Sequence, residues 1–390
     1  MKVLIINSVC GVGSTGRICM DIANYLESDD IQTCIAYGRD SDIKTELNRF
    51  RIGTKFNNII DLVETRLFDK HGFSSKKATK NFISYIKDFS PDVIHLHNLH
   101  GYYINIEILF EYLEKEFQGK IVWTLHDCWP ISGHSAFIEH PNFRGEYQNI
   151  NEYPKTYFFN FYNRNLEKKK KIISKINTKK MIFVTPSKWL GGLVKESFLK
   201  EFEVRVINNG VDQDIFNVKK SLVPLERKRV LAVANIWDDR KGLKVINQIS
   251  EILDRDQYEI VVVGRVKKGN LLSKGITHIE QTDDIEQLAA IYNSSTVFVN
   301  PTYQDNYPTT NLEALSCGIP VITFDTGGSG EVIEHEILGK VIAKGDVDGL
   351  INAIDEYSLK NNQFEISSYA KKHSKTVMLN QYTELIKELL

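Results

Sequence analysis

The feature that most constrains the fold of this 390-residue chain is an alternation of short, continuously apolar runs with amphipathic stretches. In the first half the runs are "KVLIIN", "QTCIAYG", "DVIHLHN", "KIVWTLHD", "MIFVTPS" and "EVRVINNG". In the second they are "RVLAVAN", "YEIVVVGR", "THIEQ", "STVFVNPT", "IPVITFD" and "GKVIAK". A strand apolar on both faces must be covered on both, which is the pattern of a parallel sheet flanked by helices. Helical patterns such as "LKVINQISEILDR" and "DIEQLAAIYNSS" lie between the runs. Two such series predict an α/β chain of two Rossmann-like, doubly wound domains, in keeping with a length that exceeds one comfortable core. The boundary is expected after "VINNGVDQDIF", ahead of the polar stretch "NVKKSLVPLERK" (217–228). In open sheets of this kind ligands bind beyond the carboxyl ends of the strands, so the motifs should lie there.

Composition removes several function classes. Lys and Arg (49) nearly balance Asp and Glu (50), so no global field favours nucleic acid. The cysteines Cys10, Cys19, Cys34, Cys128 and Cys317 are odd in number and scattered, which suits buried thiols in a reducing compartment. "MKVLIINS" is too short for a signal-peptide core, and no apolar run approaches the roughly 20 residues that span a bilayer. A cytoplasmic protein is expected.

Four stretches carry chemistry. "GVGSTGRI" holds G-x-G-x-x-G at Gly11, Gly13 and Gly16, between a strand and a helix. That context admits a dinucleotide, whose ribose acid would be sought near Arg39 and Asp40; it also admits another phosphate at the helix N-terminus. "DVIHLHNLHG" sets His95, His97 and His100 at a strand end, as a metal cluster without an evident further ligand or as histidines facing a cleft. "TLHDCWPISGH" places His126 and Asp127 at the carboxyl edge of a strand, followed by the stiff turn Trp129-Pro130. The most specific stretch is "NPTYQDNYPTTNLEALSCGIPVITFD". Asp305 precedes a helix expected over 308–316 and Glu313, eight residues on, lies on it. Carboxylates at both ends of such a turn suit two sets of hydroxyls, while the helix N-terminus suits a phosphate.

In this order the motifs resemble retaining glycosyltransferases of family 4, which have the GT-B fold, and in particular the branch that assembles bacterial capsule, exopolysaccharide and O-antigen. "VTPSKWL", "VINNGVD" and "ANIWDDRKGL" extend the resemblance through most of the chain. It implies two domains facing across a cleft, residues 1–212 binding acceptor and 213–374 binding donor, with 375–390 packing back on the first. The family's E-x(7)-E becomes Asp305 and Glu313, one acid shortened. By resemblance Glu313 binds the donor ribose and Asp305 the hydroxyls of the transferred sugar. Lys241 and Arg240 serve the diphosphate, although the usual arginine five residues before the lysine is here Ile236. Tyr307 and Thr309 bring the helix N-terminus to the phosphate. Gly13 and Gly16 approach the donor, and His126 lies near the transferred sugar. His97, Asp127 and Trp129 are expected on the acceptor side.

The implied reaction is metal-independent and cofactor-free. A hexose moves from a nucleoside-diphosphate sugar, with UDP favoured over GDP, to a hydroxyl of an oligosaccharide or lipid-linked saccharide. Its anomeric configuration is retained. Segment 153–180, with aromatics and eight lysines, reads either as a peripheral contact with anionic lipid at the inner membrane face or as ordinary solvated surface. Two further readings stay open: a sugar-nucleotide epimerase or hydrolase of the same architecture, and a non-catalytic nucleotide-sugar-binding protein.

Overall fold

The computed structural model describes residues 1–39, 45–138, 154–219, 226–360 and 362–389. Asp40, Tyr153, part of the expected linker (220–225) and the last residue lie outside them. The chain divides into two compact units: Met1–Ile207 together with the residues from Leu379 onward, and Asn208–Met378.

The first unit runs β1 (Lys2–Asn7), α1 (Gly13–Glu27), β2 (Gln32–Tyr37), β3 (Arg49–Arg51), α2 (Lys55–Phe68), α3 (Lys76–Phe89), β4 (Val93–Leu96), α4 (Ile106–Lys115), β5 (Lys120–Thr124), α5 (Tyr162–Ile173), β6 (Met181–Thr185), α6 (Lys188–Glu196) and β7 (Glu203–Val206). The second runs β8 (Lys228–Trp237), α7 (Leu243–Ile252), β9 (Tyr258–Val266), β10 (Ile276–Ile279), α8 (Ile285–Asn293), β11 (Val297–Asn300), α9 (Thr309–Ser316), β12 (Val321–Phe324), β13 (Gly339–Ile342), α10 (Val347–Tyr357), α11 (Gln363–Ala370) and α12 (Lys375–Glu388).

Each unit has one parallel sheet, in the order β3-β2-β1-β4-β5-β6-β7 and β10-β9-β8-β11-β12-β13. The apolar runs explain this: β1, β4, β5 and β6 are buried almost throughout, so only a doubly covered sheet satisfies them. In both sheets the chain reverses direction of travel between two neighbours, β1 and β4 in one, β8 and β11 in the other. A crevice opens at such a switch point, because the loops leaving the two strands diverge to opposite faces. The five cysteines are all free and buried. The end of α12 belongs to the first unit: Tyr382 bonds Thr124, and Lys387 pairs with Asp29.

Candidate functional site

In the second unit the loops at the switch point carry the acids and the base. β8 leads into Asp238–Gly242, and β11 into Thr302–Pro308 ahead of α9. Lys241 Nζ lies 2.5 Å from Asp305 Oδ2, and both side chains are about one-fifth exposed. Asp238 holds the Lys241 amide at 3.0 Å. Gly242 is required here: its φ is +80°, and a Cβ would sit 2.1 Å from the Pro301 carbonyl oxygen. That close approach locks the lysine loop to the Asp305 loop. Arg240 joins the same structure, its Nη1 donating to the Gln304 carbonyl at 3.0 Å, whereas Ile236 is an exposed apolar residue.

α9 supplies the second carboxylate. Glu313 accepts a hydrogen bond from the hydroxyl of Tyr292 at 2.9 Å. Tyr292 comes from α8, is fully buried, and titrates well above its ordinary range because burial and the Glu313 charge both disfavour a phenolate. No side chain caps α9; the Asn311 amide bonds the Pro308 carbonyl at 3.2 Å, which leaves the first-turn amides of Thr309 and Thr310 uncapped. A buried polar lattice fixes the helix from beneath: Asn300 donates to Asn311 at 2.8 Å and Asn311 to the Ser329 carbonyl at 2.9 Å. The Asp305 carbonyl is held by the Gly328 amide at 3.2 Å. Tyr307 precedes this helix. It is a core residue, its carbonyl bonded by Asn209 and its ring beside His373, so what it brings to the start of α9 is backbone.

In the first unit the switch point lies between the loop after β1 and the loop after β4. Gly13 has φ +67° and open space around it, and residues 12–14 are exposed. Gly16 is buried; its carbonyl accepts from the Gly11 amide at 3.1 Å, and a Cβ there would press on Gly11 and Val9 at 3.1 Å. The turn is therefore tight at Gly16 and open at Gly13. α1 begins without a side-chain cap, an arrangement that receives an anion.

The strand-end histidines form a layered cluster. His97 Nδ1 and His126 Nε2 share a hydrogen bond of 2.9 Å, and their rings are nearly parallel. His95 sits behind them, its Nε2 2.9 Å from the Thr124 hydroxyl, which in turn donates to the Tyr382 hydroxyl at 3.2 Å. Burial lowers His95 to about 3. It also lowers His126 to about 4, against the opposing pull of Asp127. His126 is thus a neutral imidazole, partly exposed, supported by a fully buried His97. His97 is a residue behind the site and not one that touches an acceptor.

Beside them Asp127 is bonded by His100 at 2.7 Å and by the Trp129 amide at 2.9 Å. Burial alone would raise Asp127, but those partners hold it below the usual carboxylate range. Trp129 is another correction: its indole is buried, packed between His71 and the ammonium of Lys169, 3.5 Å from the ring, so it offers no surface to an acceptor. Lys169 was expected among surface lysines. It is instead fully buried, donating to the carbonyls of Trp129 at 2.6 Å and Ser132 at 2.9 Å. Among the described residues, no group of three or more His, Cys, Asp or Glu has the arrangement to hold a metal ion.

Sequence comparison shows the family. Residues 15–215 match the family described as Glycosyltransferase Family 4, and residues 227–358 match Glycosyl transferases group 1. The chain is 22% identical over 374 residues to a putative colanic acid biosynthesis glycosyl transferase, WcaC, of Escherichia coli K12, covering 90% of this chain and 89% of that one. Among solved structures, a sucrose-phosphate synthase from Thermosynechococcus elongatus superposes with a TM-score of 0.75 at 17% identity, over 100% of this chain and 98% of that one. The Anabaena protein HepE in complex with UDP gives 0.68 at 13% identity over 100% of both chains. The fold is that of the GT-B glycosyltransferases, and the chain belongs to glycosyltransferase family 4.

Proposed function

We propose that the protein is a retaining hexosyltransferase. It takes its sugar from a UDP-linked donor and adds it to a hydroxyl of a growing, lipid-linked bacterial surface polysaccharide. The observation that carries this reading is the gathering of Lys241, Asp305 and Glu313 around the uncapped N-terminus of α9. A base, an amide cradle and two carboxylates are what a sugar nucleotide asks for. The polysaccharide setting is favoured by the relative named for colanic acid, and UDP by the neighbour solved with it.

On this reading Glu313, braced by Tyr292, grips the ribose. Lys241, Arg240 and the α9 amides hold the diphosphate and stabilise the charge it gains as the anomeric C–O bond breaks. Fixed donors aimed at developing charge supply the largest share of such catalysis. Asp305 orients the sugar, and neutral His126 donates to or accepts from its hydroxyls. The acceptor oxygen bonds to the anomeric carbon on the face the phosphate leaves, and its proton passes to that phosphate. No protein nucleophile is required. Gly13 to Arg17 at the start of α1 add a second anion cradle, the reading we favour over a dinucleotide. The acceptor would be met at the inner membrane face, through residues 153–180; no helix among the described residues is long and apolar enough to cross a membrane.

The test is release of nucleoside diphosphate from UDP-glucose, UDP-galactose and GDP-mannose, with and without a bacterial lipid extract. Release that requires the extract and is lost in Glu313→Ala supports transfer. Equal release without it would make the protein a hydrolase, conversion of the sugar without release an epimerase, and neither a binding protein.

A further inference from the structure

The hydrogen bond between His97 Nδ1 and His126 Nε2 can carry its proton on either nitrogen. His97 follows β4 and His126 follows β5, so the bond bridges two paired strands at their carboxyl ends. Burial lowers His97 well below its ordinary range and His126 to about 4. Both rings are therefore neutral, each with one N–H and one bare nitrogen. The direction of the shared bond then fixes both rings at once. If His126 donates from Nε2, the proton of His97 lies on its own Nε2. If His97 donates from Nδ1, the proton of His126 lies on its own Nδ1.

His97 Nε2 separates the two arrangements. It is buried and has no hydrogen-bond partner among the described residues. An N–H in that place would be an orphaned donor, which folded proteins avoid more strictly than an under-used acceptor. A bare nitrogen there leaves only an under-used acceptor, so the proton of His97 belongs on Nδ1. The ring behind follows the same rule. The Thr124 hydroxyl gives its proton to Tyr382, so it receives one from His95 Nε2, and the bare nitrogen of His95 is Nδ1, again buried with no hydrogen-bond partner. The indole of Trp123 donates to the His97 carbonyl at 3.0 Å, and the His95 ring lies 4.2 Å from the His97 ring, so His97 is held from two sides.

We propose that His97 is a positioning residue that holds His126 in the tautomer protonated at Nδ1, so that His126 meets the transferred sugar as a hydrogen-bond donor. The proposal rests on the reading of His126 as a sugar contact and narrows it, because an imidazole held this way donates and does not accept. His126 is the partly exposed member of the row, whereas His95 and His97 are closed off. Its Nε2 belongs to His97, and a ligand that reaches its other nitrogen finds an N–H. The sugar must then offer an oxygen acceptor at that point. A hydroxyl or the carbonyl of an acylated amine can serve; a deoxy carbon or an ammonium cannot.

The experiment is nitrogen-15 NMR of the full-length protein labelled at histidine, which reads ring tautomers from two-bond N–H couplings. Nucleotide release from UDP-glucose and thermal stabilisation by UDP are measured in parallel. The signals lost in His97→Phe and His126→Gln assign the two rings. Wild type is expected to show both protonated at Nδ1. His97→Phe keeps a ring in place and removes the donor. His126 should then populate the form protonated at Nε2, and release should fall by about 2–12-fold, the worth of one hydrogen bond, with the UDP response retained. His97→Asn, whose amide can donate from near the position of Nδ1, should recover both. A wild-type His126 protonated at Nε2 would overturn the proposal, and that spectrum decides it even where His97→Phe fails to fold. So would a folded His97→Phe with the His126 tautomer and the release unchanged. A wild type that releases no nucleotide from any donor would overturn the transferase reading, and the sugar's part in this proposal with it, while the tautomer stands as measured; the two failures give different results.

Discussion

The hydroxyl of Tyr292 donates to Glu313 at 2.9 Å from a position wholly inside the second unit, so the carboxylate read as the ribose ligand is oriented by a group that never meets solvent. Tyr292→Phe keeps the packing and removes that donor. A single net hydrogen bond is worth about 0.5–1.5 kcal/mol, so calorimetry should show UDP binding weakened by roughly 2–12-fold. Affinity equal to wild type would mean Tyr292 is a packing residue only.

The Lys241–Asp305 pair makes an opposite prediction for binding and turnover. In the free protein the lysine is already neutralised, and the diphosphate must compete for it. Asp305→Asn should therefore bind UDP more tightly, by about 0.5–1 kcal/mol given the partial exposure of the pair, while transfer slows because the sugar loses its acid. An unchanged rate with tighter binding would take Asp305 out of the sugar site.

Lys169 tests how much of the first unit rests on a buried cation. Its ammonium satisfies the carbonyls of Trp129 and Ser132, next to the Asp127 turn. Lys169→Met leaves the Ser132 oxygen without a donor among the described residues and the Trp129 oxygen with no stronger partner than the Ser132 amide at 3.3 Å, a cost of about 1–3 kcal/mol for the orphaned group, and urea unfolding should report a loss in that range. A neutral or stabilising effect would show that water reaches these groups.

Stability should fall with acid. Burial lowers His95 to about 3 and His126 and His373 to about 4, from 6.5, so unfolding takes up protons at each between pH 6.5 and those values. Their contribution is complete above pH 6.5 and lost as pH falls through the window. Asp61 opposes them: burial raises it from 3.8 to about 7, so its contribution is present below pH 3.8 and lost as pH rises through 7. Burial lowers His71 and His97 as well, so five histidines against one carboxyl leave a net uptake of protons on unfolding, and stability falls as pH drops below 6.5. Urea midpoints at pH 7 and pH 5 check this; equal or higher stability at pH 5 would contradict it.

Much of the fold is legible in the sequence because strands covered on both faces read as unbroken apolar runs, and β1, β4, β8 and β11 all do. β3 does not: Arg49–Arg51 is three residues with no apolar run, paired at the sheet edge by β2. Lys241 is reached only through the family resemblance, whereas Asp305 and Glu313 are readable because their spacing within one loop-helix turn is local. Tyr292 is not, since its only signal is one aromatic in an ordinary amphipathic helix, 21 residues from its partner. Trp129 and Lys169 mislead for a shared reason. Each is a residue type that serves ligands at surfaces, and only three-dimensional packing shows that it is enclosed.

The central claim is that the loops at the β8–β11 switch point bind a sugar nucleotide through Glu313. It is tested most directly by thermal unfolding of wild type and Glu313→Ala against UDP, GDP, ADP, NAD and NADP at one concentration. A ligand at a hundred times its dissociation constant adds about 2.7 kcal/mol of stability, enough to move the transition by several degrees. The account predicts stabilisation by UDP, little by NAD or NADP, and loss of the UDP effect in Glu313→Ala. Stabilisation by NAD or NADP alone, unaffected by that substitution, would contradict it and return the Gly11–Gly16 turn to a dinucleotide.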